Sequence, residues 1–132
     1  MVDYKYNYLP ITTVLTLYSN GQFRNEESFI DKGKMGHYFQ DLYTDWYSNE
    51  PIREQGNYDD NMKQGMWYTW HENGQLMTEQ QYYNDDLQGL YTKWNRNGKI
   101  IEQGHYNEDL KVGIWYTWYN TKGKGIGEDE AG

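Results

Sequence analysis

The chain has 132 residues, a formal net charge of −8 at pH 7 and no cysteine. This length holds one domain or one short repeat array. The missing cysteines exclude a disulfide framework and thiolate metal sites, and the negative charge argues against DNA, RNA or anionic lipid, all of which select clustered Lys and Arg. Phe, Trp and Tyr make up 18% of the residues, half of the 36% that are hydrophobic. Tyr, Trp, Thr and Ile suit strands, whereas helices need the Ala that occurs here once, at Ala131. The composition predicts an all-β protein, with no helix longer than a turn between residues 43 and 118.

The opening stretch, MVDYKYNYLP, lacks the apolar core of a signal peptide, and no run approaches the ~20 apolar residues of a membrane span. Cytoplasmic location is the expectation. Abundant Asn, Tyr and Lys suggests an AT-rich bacterial or phage genome. Pro10, which cannot donate to a strand ladder, and the charges of Asp3 and Lys5 read as a guard on the first sheet edge. A first, faint unit covers residues 12–36, with Asn20-Gly21, Phe29 and Gly36 as its marks; an insertion of about five residues near Gln40 or Asp41 separates it from the next.

From there a 24-residue period is clean. Trp46, Trp70, Trp94 and Trp118 keep that step, as do Gly65, Gly89 and Gly113, and Tyr58, Tyr82 and Tyr106. These ten residues are the expected structural core of units 37–65, 66–89, 90–113 and a truncated 114–124. Asn73-Gly74 and Asn97-Gly98 sit between strand-like runs, which predicts β-hairpins closed by type I′ turns with φ > 0 at both central residues. Residues 1–124 thus read as one repeat domain. Segment 125–132, which ends in GEDEAG, reads as an acidic, disordered tail.

Strand alternation sorts side chains into two faces. Met66, Tyr68 and Trp70, with Leu76 and Tyr82 from the return strand, predict an apolar face in which Gly56 and Gly104 make room for indoles. The second face carries the column Tyr43, Trp67, Tyr91 and Trp115 beside Asp45, Thr69, Lys93 and Thr117. Half polar and rich in large rings, this column is the first candidate partner-binding surface; the bland alternative is that it stacks and stabilises the sheet. One hairpin cannot bury its own apolar face, so repeated hairpins form aromatic ladders.

These residues resemble the MORN repeat, and specifically its bacterial, antitoxin-associated variant. GMWYTWHENGQLMTEQQYYNDDLQG, residues 65–89, follows that pattern almost along its length, and the resemblance spans about residues 12–120. The second turns (DDNMKQ, NDDLQ, NEDLKV) depart from it, since they carry no Gly where the family usually does. The resemblance implies an elongated, twisted antiparallel sheet of tandem hairpins, and scaffolding or partner binding rather than catalysis.

Chemistry-bearing motifs are sparse. His37, His71 and His105 share no repeat column and no metal spacing, and the chain has no P-loop, no dinucleotide fingerprint and no Gly-x-Ser-x-Gly. No catalytic residue, cofactor or metal is expected. Asp59, Asp60, Asp85, Asp86, Glu108 and Asp109 fall in the turns between units and predict an acidic rim. It serves a basic protein partner or loosely held cations, or simply reflects good turn formers. Arg24, Arg96 and Lys99 mark the opposite edge. A non-enzymatic protein-binding module is the leading reading. An antitoxin-like or phage-type inhibitor filling a basic site, and a glycan-binding module, are the alternatives. The aromatic run 114–119 is weakly covered in sequence and predicts a homodimer through that edge.

Overall fold

A computed structural model describes residues 11–31 and 39–119. Those residues are all-β. Ten antiparallel strands form one open sheet: β1 (Ile11–Leu17), β2 (Phe23–Asp31), β3 (Phe39–Trp46), β4 (Ile52–Asp59), β5 (Met62–Trp70), β6 (Leu76–Tyr83), β7 (Asp86–Leu87), β8 (Gly89–Trp94), β9 (Ile100–Asn107) and β10 (Leu110–Thr117). The strands lie side by side in chain order, with the short β7 pairing with β6, so neighbours in sequence are neighbours in the sheet. No described segment is a helix long and apolar enough to cross a membrane. The expected guard at Pro10, His37 and the 125–132 tail lie outside the described residues.

Two kinds of turn alternate, and the Asn-Gly turns differ from the sequence expectation. At Asn73-Gly74 only the glycine has positive φ; Gly74 N–H bonds to His71 C=O at 3.0 Å, and His71 N–H to Gln75 C=O at 2.8 Å. This is a type I turn closed by a left-handed residue, not a type I′ turn. Asn97-Gly98 and Asn20-Gly21 repeat it. The type I′ turns are the acidic ones instead. Asp60 and Asn61, Asn84 and Asp85, and Glu108 and Asp109 all have φ between 48° and 74°. Asn and Asp tolerate this left-handed region better than other non-Gly residues.

Glu50 stands where the other Asn-Gly turns place glycine, and it is held at φ 89°. A left-handed conformation costs an L-residue ~1–2 kcal/mol, and glycine gives back part of that relief through its freer unfolded chain. Glu50→Gly is therefore expected to raise stability by about 1 kcal/mol, read as a higher urea midpoint at an unchanged denaturant slope.

The turn type also decides which side chains share a face. Beside the Asn-Gly turn, Thr69 opposes Thr78 but Trp70 opposes Leu76, so the return strand carries one extra residue. The same shift occurs at Asp45/Trp46 and at Lys93/Trp94. One extra residue inverts alternation along the rest of the strand. Tyr58, Tyr82, Tyr106, Gly56 and Gly104 consequently lie on the face of Tyr43, Trp67, Tyr91 and Trp115, not on the face of Trp70 as alternation alone predicts.

The repeated Gly65, Gly89 and Gly113 have a separate cause. Between the pairs Gln55–Tyr68 and Asn57–Gln64, β5 advances four residues while β4 advances two. Gly65 lies in this wide bulge at φ +75°, with open space where a Cβ would be, so backbone conformation rather than room selects glycine. β10 repeats the shift between Val112 and Tyr116, around Gly113.

Candidate functional site

The face bearing Tyr43, Trp67, Tyr91 and Trp115 holds the protein's own core. Trp67 is 0% exposed. Its indole lies over Gly56, where a Cβ would come within 2.0 Å of Cδ2, and its N–H donates to Asn57 C=O at 3.0 Å. Tyr43, Tyr58 and Tyr82 surround it at ring-centroid distances of 6.0, 5.0 and 6.3 Å, the last two edge-on. The Lys63 ammonium caps both the indole, at 4.4 Å, and the Tyr82 ring, at 5.0 Å. Trp67 is thus closed to a partner as the chain stands.

The same arrangement recurs 48 residues on. Trp115 lies over Gly104, its N–H bonds to His105 C=O at 3.1 Å, Tyr106 meets it edge-on at 4.9 Å, and Lys111 caps it at 4.3 Å. Between the two clusters, Tyr91 takes the indole's place and Gln80 the glycine's. Burial raises the Tyr43 and Tyr91 phenols to about 12, with further contributions from Asp45 and Glu54 at Tyr43 and from Glu102 at Tyr91. Tyr58 and Tyr82 are raised for the same first reason. These phenols sit as neutral core rings at physiological pH.

The opposite face carries Leu42, Met66, Leu90 and Ile114 in one column, with Tyr68 and Tyr116 next along their strands and Trp46, Trp70, Trp94 and Trp118 beyond. Leu42 is 45% exposed, Leu90 44% and Ile114 73%; Tyr116 and Trp118 are exposed as well. Trp46, Trp70 and Trp94 are half-buried. The face expected to be the core thus leaves Leu42, Leu90, Ile114, Tyr116 and Trp118 exposed although Thr44 and Thr92 are buried on it, and on the face offered as a binding surface Trp67 is enclosed while Tyr43, Tyr91 and Trp115 are half-buried.

Acidic turns form a rim, and part of it is structural. Asp85 accepts the Lys63 N–H at 2.7 Å while its own N–H donates to Lys63 C=O at 3.0 Å. Asp109 does the same to Leu87, at 2.6 and 3.0 Å. Each carboxylate closes a backbone N–H at a ladder end; for Lys63, the β5–β6 pairs stop at Gly65 and Tyr82. Asp59 is half-buried, whereas Asp60, Asp86 and Glu108 are exposed. The Asp86 carboxyl is raised by its hydrogen bond with Asp109 and by the negative charges of Asp109, Glu108 and Asp85. Among the described residues no group of three or more His, Asp or Glu is placed to hold a metal ion.

At the Asn-Gly edge, side chains clasp each strand end to the next. Tyr18 and Tyr47 hydroxyls donate to Trp46 and Trp70 C=O at 2.7 and 2.6 Å. His71, 24 residues after Tyr47, reaches Trp94 C=O through Nε2 at 2.9 Å. His71 therefore has a structural partner, and its column holds no other histidine. Buried Asp45 is paired with Arg53, whose Nε donates to Oδ2 at 2.7 Å. Neither the clasps nor the Lys63 and Lys111 caps were foreseen from the sequence. The signal for the caps is the 48-residue spacing, at which Lys63 and Lys111 match but Leu87 does not.

Comparison with family models, with curated proteins and with solved structures finds no match for the chain.

Proposed function

We propose that the chain is a non-enzymatic, MORN-like protein-binding scaffold whose partner docks on the open face. The observation that supports this is the exposed column of Leu42, Leu90 and Ile114, continued by Tyr116, on a sheet whose other face has enclosed Trp67 in its own aromatic cluster. Exposed apolar side chains set between Asn57, Gln81 and His105 of the intervening strands give this face the mixed apolar and polar character of a protein contact site. The acidic rim beside it favours a partner with basic residues at the margin, through steering more than through affinity. The resemblance to MORN repeats supports the same class of function.

The test is a double variant, Leu90→Glu with Ile114→Glu. Both side chains are exposed, so the thermal midpoint should stay within about 3 °C of wild type, as for surface changes of under 0.5 kcal/mol. A partner cross-linked to wild-type protein should bind the double variant at least tenfold more weakly. Unchanged binding to the double variant would refute the reading. Loss on Asp86→Asn with Glu108→Gln instead would move the contact to the rim.

A further inference from the structure

The two aromatic clusters differ at one point. Trp67 is covered by Tyr82 of the following strand, and Asp85, three residues later, caps the outward N–H of Lys63. Tyr106 and Asp109 keep the same three-residue spacing, and Asp109 caps Leu87. At the sheet's last described edge the receiving half of this arrangement is present without the donating half. Trp115 is only half-buried, and Lys111 lies over one ring where Lys63 lies over two. The Lys63 side chain is 24% exposed and the Lys111 side chain 53%. No described residue caps the Lys111 N–H as Asp85 caps that of Lys63. Farther along the edge, Trp118 N–H bonds inward to Ile101 C=O at 3.1 Å, so the alternation of an antiparallel ladder turns the Thr117 N–H outward.

We propose that the β10 edge accepts, by strand addition, a hairpin of another protein that carries Tyr and Asp three residues apart, with the Asp at the second position of a type I′ turn. The ring would close over Trp115 beside Lys111, the carboxylate would cap the Lys111 N–H, and the incoming backbone would take the Thr117 N–H. The proposal rests on the reading of the chain as a protein-binding module, but it uses the edge and not the open face. Residues 120–132 contain no Tyr and cannot supply the ring. In a second copy, the stretches beginning at Tyr82 and Tyr106 are already paired within their own sheet.

The probe is a fluorescein-labelled synthetic peptide, LMTEQQYYNDDLQG, which repeats residues 76–89, the natural neighbours of β5. Added to the full chain, it should give a saturable rise in anisotropy. Peptides carrying Tyr82→Ala or Asp85→Ala should each bind about tenfold more weakly, the loss expected for an edge-on ring contact or a charge-assisted hydrogen bond. Thr117→Pro in the protein should abolish binding by removing the outward donor. Leu90→Glu should leave peptide binding unchanged, which separates the edge from the open face. Peptide variants that bind like the parent would overturn the proposal without any change to the protein. So would a homodimer, seen by sedimentation, that the peptide does not dissociate.

Discussion

Trp67→Ala should lower the unfolding free energy by about 4 kcal/mol, the range for truncating a fully buried aromatic. The indole is closed to solvent, contacts three tyrosine rings and the Lys63 ammonium, and donates to Asn57 C=O. A single-sheet protein has few such groups, and a domain's total stability is only ~5–15 kcal/mol. Trp70→Ala and Trp115→Ala should cost about half as much, because both side chains are half-buried. Urea unfolding of the three variants measures the order directly. An equal loss at Trp70 and Trp67 would mean that the Trp70 face carries as much of the core as the Trp67 face.

That ranking marks the limit of what the residues revealed in advance. The all-β class was legible because the aromatic content and the 24-residue step of Trp46, Trp70 and Trp94 admit little else. The sharing of faces was not. Alternation is a period of two, and a single extra residue between Leu76 and Thr78 inverts it. Nothing local announces that residue, because Asn-Gly serves equally well in a two-residue type I′ turn and in a type I turn closed by glycine. The glycine-only φ > 0 at Gly74, and the paired φ > 0 at Asn84 and Asp85, decide between them. The carboxylates of Asp85 and Asp109 were readable as turn formers; their bonds to Lys63 and Leu87 depend on where each ladder ends, which alternation alone does not give. The pairing of Trp with Gly was open to view at twice the repeat length, where Gly56 and Gly104 accompany Trp67 and Trp115 while Gln80 accompanies Tyr91.

This last pairing makes Gly56→Ala a strongly damaging substitution. Its Cβ would lie 2.0 Å from Cδ2, 2.3 Å from Cε2 and 2.5 Å from Cγ of Trp67, all far inside van der Waals contact. The clash is with the root and fused edge of a rigid ring system, which no rotation of a terminal bond relieves. The indole is held on its other sides by Tyr58, Tyr82 and Lys63, so it moves only by opening the cluster. Overpacking of this kind costs ~1–3 kcal/mol in ordinary cores, and a loss of about 3 kcal/mol or more is expected here because the blocked ring is the most enclosed one. Gly104→Ala meets Trp115 at 2.1 Å but should cost less, since Trp115 has an open side toward the sheet edge. The decisive experiment is rescue. Gln80 and Tyr91 follow directly on the Glu79–Thr92 pair, so at the position equivalent to Gly56 and Trp67 the chain combines a larger side chain with a phenol in place of the indole. Gly56→Ala combined with Trp67→Tyr should therefore be more stable in urea than Gly56→Ala alone, although Trp67→Tyr by itself is destabilising. Additive losses in the double variant would show that the glycine is required for some reason other than the ring above it.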